Sequence, residues 1–468
     1  MSLVLGGILA LRLHAFPALL IAAFAVAVLT PGSALVDYAE SQTALKRMTP
    51  ESSAAFLSRN PAERVAAGFG DTCRTVGLLI AFASIVGQAL LRSGAAERIV
   101  RSLVAFCGTA RAYLGLLFSA FLLAIPVYFD TVFYLLVPIA RALRRRTGQH
   151  YLLYILSIVA GGTMAHSLVP PTPGPLFVAG DLGVSLGTMM ISGFIVSLVA
   201  AVFGLAFALY VNRRYDLPLR RPASDAEETH APDSSPAGSQ IAALPSLGFS
   251  LLPILLPVAL IAAAAAIDAF PVLARLPGAP ILLLLGDKNF ALFLAALIAL
   301  LLLWKGGPGR SRDAVASEIQ TALSSGAVIL LITAAGGAFG AVLRETAIAN
   351  TFAGLAGAGS AWALPVAFLV TALVRTAQGS ATVAMITAAP IAHGFLPYID
   401  FHPVYLALAI GCGSKPIPWM NDSGFWIITR MSGMRESETL RFVTPMMSGM
   451  GVAGLLATMT GAWLFPLR

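Results

Sequence analysis

Apolar stretches of membrane-crossing length recur along this chain, and short polar stretches punctuate them. Runs at 16–29, 68–91, 102–124, 187–211, 248–270, 289–304, 321–343 and 442–465 are continuous enough to form spanning helices. A shorter apolar helix is expected over 2–11. Strand-type alternation is absent, so helices rather than a barrel make the crossings. Three stretches interrupt the pattern. IPVYFDT at 125–131 places a proline and a lone carboxylate, Asp130, between apolar runs. HSLVPPTPGP at 166–175 follows the apolar run 151–165 and must break it, because proline removes backbone donors and clashes with the preceding turn. SKPIPWMNDSGFW at 414–426 breaks the last but one segment, 403–430. A fourth polar stretch, RTAQGSAT at 375–382, separates the pieces 362–374 and 383–392, each too short to span alone. Two half-length helices around a polar tip predict a re-entrant hairpin. Backbone that leaves the helix at bilayer depth must be buried in protein or line a wet cavity. A break carrying Asn421, Asp422 and Ser423 therefore reads as a substrate or ion site; the plainer reading is a loop between two short helices.

Composition fixes the setting. Of 468 residues, 58% are hydrophobic and 11% charged, against roughly 25% charged in a soluble domain. The net charge of +8 sits mostly in short loops beside apolar runs. It reflects the positive-inside rule and not nucleic-acid binding. Those basic clusters fall on one side, the cytoplasmic one, if each hairpin returns to its own side. Both termini then lie outside. The three cysteines are widely spaced and do not suggest a disulfide framework or a metal site. Residues 31–66 read as a polar extracytoplasmic insertion and 215–246 as a disordered linker.

A weak internal repeat orders these elements. Residue n of the first half aligns with n+252, so Leu91–Arg92 meets Leu343–Arg344, Pro138–Ala140 meets Pro390–Ala392, and Asp130 meets Thr382. With a shift of two, Thr172–Gly174 meets Asp422–Gly424. Each half carries a spanning helix, a hairpin with a polar tip and a broken helix. Hairpin one is expected on the cytoplasmic side and hairpin two outside, which makes the repeat inverted and puts the site at its interface. The predicted fold is an all-α, polytopic, multi-pass membrane protein with two inverted repeats, each holding a re-entrant hairpin and a broken transmembrane helix. Its parts are N-terminal helices at 1–30, the insertion at 31–66, the first repeat at 67–212, a cytoplasmic linker at 213–247, scaffold helices at 248–306 and the second repeat at 307–468.

Four stretches carry a family resemblance: IPVYFDTVFYLLVPIARALRRRTG, HSLVPPTPGP, GGAFGAVLRETAI and WMNDSGFW. With them the chain resembles the gluconate permease family of the ion transporter superfamily, over about 66–212 and 320–466 together with the N-terminal helices. The resemblance implies proton-coupled uptake of gluconate or a related sugar or hydroxy acid across the inner membrane. It also implies a homodimer in which a transport part moves against a scaffold. The insertion at 31–66, SKPIPW ahead of NDSG, and Arg375 with Gln378 at the second tip depart from the family pattern and bear on the choice of substrate.

The candidate site follows from what a polyol anion needs. Half-helix N-termini after Asp130, Pro173, Ser380 and Ser423 could hold a carboxylate. Thr131, Thr172, Gln378, Ser380, Thr382, Asn421 and Ser423 could serve its hydroxyls. Arg375 could pair the carboxylate or reach the interface by snorkelling. Lys415 carries the same two readings, with the interfacial one preferred. Burial disfavours a charged carboxylate, so Asp130 or Asp422 is expected to carry the coupled proton, unless either merely caps the following half-helix. His166 is either a proton relay or a histidine bonded to a backbone carbonyl. Arg344 and Glu345 are expected to pair with each other at a helix end. No cofactor is implied. No nucleophile with a base, HExxH motif, aspartyl pair or Walker A sequence is present, which argues against an enzyme or an ATP-driven pump. Sodium coupling is the rival to protons, since carbonyl- and hydroxyl-rich breaks can also ligate Na⁺.

Overall fold

A computed structural model describes residues 13–44, 48–220, 244–269, 273–305, 311–346 and 362–467. The expected helix at 2–11 and most of the linker lie outside them. All regular structure among the described residues is helical. The first half runs α1 (Ala15–Leu29), α2 (Gly32–Ala44), α3 (Pro50–Leu57), α4 (Pro61–Arg92), α5 (Ala95–Cys107), α6 (Ala112–Leu123), α7 (Phe129–Thr147), α8 (Tyr151–Leu168), α9 (Pro173–Asp181) and α10 (Leu186–Asn212). The second runs α11 (Leu247–Ala269), α12 (Ala279–Leu285), α13 (Lys288–Lys305), α14 (Arg312–Arg344), α15 (Ala363–Gln378), α16 (Ala381–His393), α17 (Val404–Gly413), α18 (Ser423–Ser432) and α19 (Glu436–Leu464). Among the described residues, 7 helices are long and apolar enough to cross a membrane, or up to 9 if each bent pair is one span. This is an all-helical, multi-pass membrane protein.

The local chemistry explains the boundaries. α4 starts seven residues ahead of its apolar run because Asn60 and Glu63 form a capping box. Asn60 Oδ1 accepts from Glu63 N at 2.9 Å and Glu63 Oε2 accepts from Asn60 N at 3.0 Å. The apolar stretch 102–124 is not one helix. Gly108, at φ 69°, turns the chain between α5 and α6, which meet at 107°. The polar insertion 31–66 holds α2, α3 and the first turn of α4. Prolines 138 and 390 occupy matching places inside α7 and α16, and Arg92 and Arg344 end α4 and α14.

The same order of elements thus occurs twice: α4, α6–α7, α8–α9, α10, then α14, α15–α16, α17–α18, α19. The long helices α4 and α14 pack on each other. The short halves pair across the two units, α7 with α18 and α9 with α16. The broken helix α8–α9 is encased by protein: 94% of its most apolar window is buried, against 39–56% for the other spans. Its neighbours approach closely, since a Cβ on Gly161 would lie 2.1 Å from the Leu117 carbonyl oxygen of α6. Small residues permit such backbone contact between membrane helices, where no hydrophobic drive separates helix from lipid.

Several expectations are corrected. Arg344 and Glu345 bind different partners: Arg344 Nη1 meets Asp181 Oδ1 at 2.5 Å, and Glu345 Oε2 takes Arg64 Nη1 at 2.6 Å. Consecutive residues at a helix end point to different sides, so the two serve different neighbours. Residues 215–220 are packed rather than disordered. Leu217 is buried, Asp216 bonds Arg144 through two 2.9 Å contacts, and Arg220 bonds Glu438 at 2.5 and 2.8 Å. Composition averaged over 215–246 hides these anchors, which depend on partners on α7 and α19. The helix α12 lies in a stretch for which no element was expected.

Candidate functional site

Prolines and glycines set the site by ending helices early. Pro416 and Pro418 cannot donate to a helix ladder, and the chain between α17 and α18 passes through Ile417 at φ 50°, a left-handed position for a β-branched residue. Side chains and backbone tie this stretch down. Ile417 N donates to Ser448 Oγ at 2.9 Å, and Thr444 Oγ1 donates to the Pro418 carbonyl at 2.6 Å. Trp419 Nε1 and Asn421 Nδ2 each donate to the Thr376 carbonyl at 2.8 Å, so the break of one element caps the end of α15. On the first-half side, Thr172 Oγ1 donates to the carbonyls of His166 and Val169 at 2.7 and 2.9 Å, which fixes the proline-rich turn.

Four helix starts converge on one cavity of about 330 Å³. Its lining includes Tyr128, Phe129 and Asp130 at the start of α7, Pro173 at α9, Ser380–Val383 at α16 and Asp422–Phe425 at α18. Ser380 Oγ accepts from Val383 N at 3.3 Å, and Asp422 Oδ1 accepts from Gly424 N at 2.8 Å. The remaining first-turn N–H groups and the helix dipoles give the cavity positive potential without a metal. Arg375 and Lys415 add two buried cations, each 3% exposed. Arg375 Nε donates to the Ser414 carbonyl at 3.0 Å and Nη2 bonds Asp422 Oδ2. Arg375 Nη1 is buried and has no hydrogen-bond partner among the described residues. Lys415 makes no ion pair among the described residues. Asp130 and Asp422 stand close together: a Cβ built on Gly424 would lie 3.9 Å from Asp130 Oδ1 and 3.3 Å from Asp422 Oδ1. His166 also lines the cavity; its Nδ1 is buried with no hydrogen-bond partner among the described residues, and its ring stands edge-on to Tyr128 with centroids 6.0 Å apart.

Of the residues singled out from sequence, the cavity brings together Asp130, His166, Arg375, Ser380, Thr382, Asp422 and Ser423. It does not include Thr131, Thr172, Gln378 or Asn421 among its lining. Thr172 and Asn421 are occupied with backbone carbonyls, as described. Gln378 has a buried amide with no partner at either end among the described residues. α7 begins at Phe129, one residue ahead of Asp130, and its cap position is Tyr128. Asp130 therefore does not cap a helix, whereas Asp422 does. Arg375 and Lys415 do not snorkel; both are buried at the cavity. Tyr128, Thr163, Thr333 and Phe425 also line it. Thr163 and Thr333 carried no sequence signal, because each sits inside an otherwise apolar helix pattern, while Tyr128 and Phe425 lie in the interrupting stretches 125–131 and 414–426, where their aromatic rings did not stand out as polar candidates. No cluster of three His, Cys, Asp or Glu side chains that could hold a metal occurs among the described residues.

The model of the GntP family permease matches residues 58–464. An uncharacterized permease of Haemophilus influenzae is 34% identical over 396 residues, covering 83% of this chain and 80% of that one. A gluconate permease of Pseudomonas aeruginosa is 33% identical over 401 residues, covering 83% and 85%. Among solved structures, the YdaH transporter of Alcanivorax borkumensis superposes with a TM-score of 0.63 at 16% identity, covering 86% of this chain and 88% of that one. That last likeness is one of fold.

Proposed function

The chain belongs to the GntP permease family, and on that premise we propose that it carries gluconate or a related sugar or hydroxy acid with protons, by elevator-type alternating access. The observation that supports this reading most is the convergence of four helix N-termini with Arg375 and Lys415 on one cavity. A monocarboxylate finds positive potential there, and its hydroxyls find donors and acceptors on Ser380, Thr382 and Ser423. Asp130 and Asp422 supply the groups that can take up a proton beside the cargo. The units 67–212 and 307–468 act as inverted repeats around this site, with α4 and α14 on the static side and the hairpin and broken helices on the moving side.

Uptake of labelled gluconate into proteoliposomes tests the reading. A pH gradient imposed without sodium is expected to drive accumulation. Uptake that requires sodium and ignores pH sinks the proton assignment and recasts the Ser380–Thr382 and Asn421–Ser423 tips as Na⁺ ligands. Absence of exchange with gluconate and with a panel of other hydroxy and sugar acids sinks the substrate class.

A further inference from the structure

We propose that Arg375 changes partners during transport: Asp422 holds it in the empty site, and the carboxylate of a singly charged cargo takes its place, shared with Lys415, while Asp422 accepts the coupled proton. This rests on the sugar-acid symport reading and adds which groups trade places and how much charge crosses.

Three observations carry it. Arg375 is anchored on one side, through Nε to the Ser414 carbonyl, so its fork is held at the cavity while its Nη2 bonds Asp422 and its buried Nη1 has no hydrogen-bond partner among the described residues. A buried guanidinium with an unused donor is a carboxylate site only half filled, because a bidentate acid uses both nitrogens. Lys415 is a second buried cation, one residue beyond the Ser414 anchor and without an ion pair among the described residues. Asp422, finally, splits its two oxygens. Oδ1 accepts from Gly424 N at 2.8 Å and caps α18, while Oδ2 bonds Arg375. A proton added at Oδ2 ends the attraction to Arg375 but leaves Oδ1 free to keep accepting from Gly424 N. The half-helix stays capped through the exchange.

The charge count follows. The titratable groups that line the cavity with Asp422 are Arg375 of α15, Lys415 of the break, Asp130 of α7, Tyr128 at its cap and His166 of α8. With the histidine and the tyrosine neutral, two cations balance two carboxylates. One carboxylate cargo with one proton on Asp422 restores the same balance. The step is an O–H bond formed at Oδ2 from a proton of the entry compartment and broken toward the exit compartment, with no other covalent bond made or broken; the Asp422–Arg375 hydrogen bond is exchanged for one to the cargo. Empty and loaded sites are both uncharged, and an uncharged site crosses the low-dielectric interior at the least cost. A dicarboxylate with one proton would leave one negative charge uncompensated, so the site selects monocarboxylates.

The experiment combines gradient-free exchange of labelled gluconate with uptake under a pH gradient or a potassium–valinomycin potential. Wild type is expected to exchange and to accumulate cargo with the pH gradient, and not with an inside-negative potential alone. Asp422→Asn keeps a good helix cap. It is expected to lose at least tenfold of the pH-driven accumulation, and its remaining uptake should be flat with pH and slowed by an inside-negative potential. Lys415→Gln leaves Asp422 in place; a KM at least tenfold higher is expected, with pH-driven accumulation retained at saturating cargo. Wild-type accumulation driven by potential alone, pH-driven accumulation by Asp422→Asn, or an unchanged KM in Lys415→Gln each overturns the partner exchange and leaves sugar-acid transport standing. No gradient-free exchange by the wild type with any monocarboxylate overturns the transport reading, and this inference with it.

Discussion

Gly379 sits where the tips of two elements touch. It closes α15 at φ 86°, and a Cβ there would lie 2.1 Å from the Asn421 carbonyl oxygen. An alanine at this position would carry a left-handed conformation costing about 1–2 kcal/mol and would also push the Asn421 backbone away. The contacts of Asn421 and Trp419 with the Thr376 carbonyl are the adjacent links between the same two tips. Gly379→Ala is therefore expected to reach the membrane but to lose more than tenfold in uptake, with a lowered melting temperature for the purified protein. Wild-type uptake by this variant would show that the two tips need not touch. The polar letters at such positions were legible in the sequence: Ser380, Thr382, Asp422 and Ser423 stand out because an apolar background isolates them. Partners were not legible. Arg375 and Asp422 lie 47 positions apart, and Arg64 and Glu345 lie 281 apart; only the packing of the helices that carry them brings each pair together. Lys415 misled for the same reason, since a lysine beside prolines in an apolar stretch carries no mark that says whether it faces lipid headgroups or a cavity.

Half-helices form the site, so a cap counts for more here than in a long helix. α16 has 13 residues and receives one side-chain cap bond, from Val383 N to Ser380 Oγ at 3.3 Å. Losing a serine cap costs about 1 kcal/mol, and both Ser380 and Val383, whose N–H is freed, line the cavity. Ser380→Ala is expected to raise KM several-fold with a smaller change in the maximal rate, whereas Ser380→Thr keeps the acceptor and stays near wild type. Equal kinetics for the alanine and threonine variants in a concentration series of uptake would sink the role given to the cap. The elements themselves were largely legible, because proline runs and the NDSG stretch punctuate helices by simple sterics. The bend at Gly108 was not, as one glycine inside an apolar run leaves the hydropathy unchanged. Nor was the packed stretch 215–220, whose anchors Asp216 and Arg220 sit in a composition that otherwise reads as linker.

Across the whole molecule, the order of elements in the two units was legible, while their cross-pairing was not. α7 meets α18 and α9 meets α16, so each unit completes the other's half of the cavity. Two glycines mark the face of α14 that meets α16: a Cβ on Gly340 would lie 2.6 Å from Pro390 Cγ, and one on Gly336 would lie 1.9 Å from Ile386 Cγ2. The side chains of Ile386 and Pro390 thus seat in notches that the glycines leave open, so any travel of α16 along α14 must lift them out. The Arg344–Asp181 pair links the same long helix to the end of α9, and His393 Nδ1 lies 2.8 Å from the Asp181 carbonyl. If α16 and α9 travel together past α14, as elevator transport requires, a covalent bond across the glycine contact must stop the cycle. The position built for a Gly336 Cβ lies 3.4 Å from Ile386 Cβ, close to the roughly 3.5–4.5 Å that a disulfide spans. In a background without Cys73, Cys107 and Cys412, Gly336→Cys with Ile386→Cys is expected to cross-link on oxidation, lose nearly all uptake, and recover it on reduction. Comparing the oxidised and reduced forms of one variant cancels whatever the two substitutions do to the cavity. Full-rate uptake by protein shown to be cross-linked would mean that α14 and α16 move as one body, and the moving part would then have to be drawn elsewhere in the molecule.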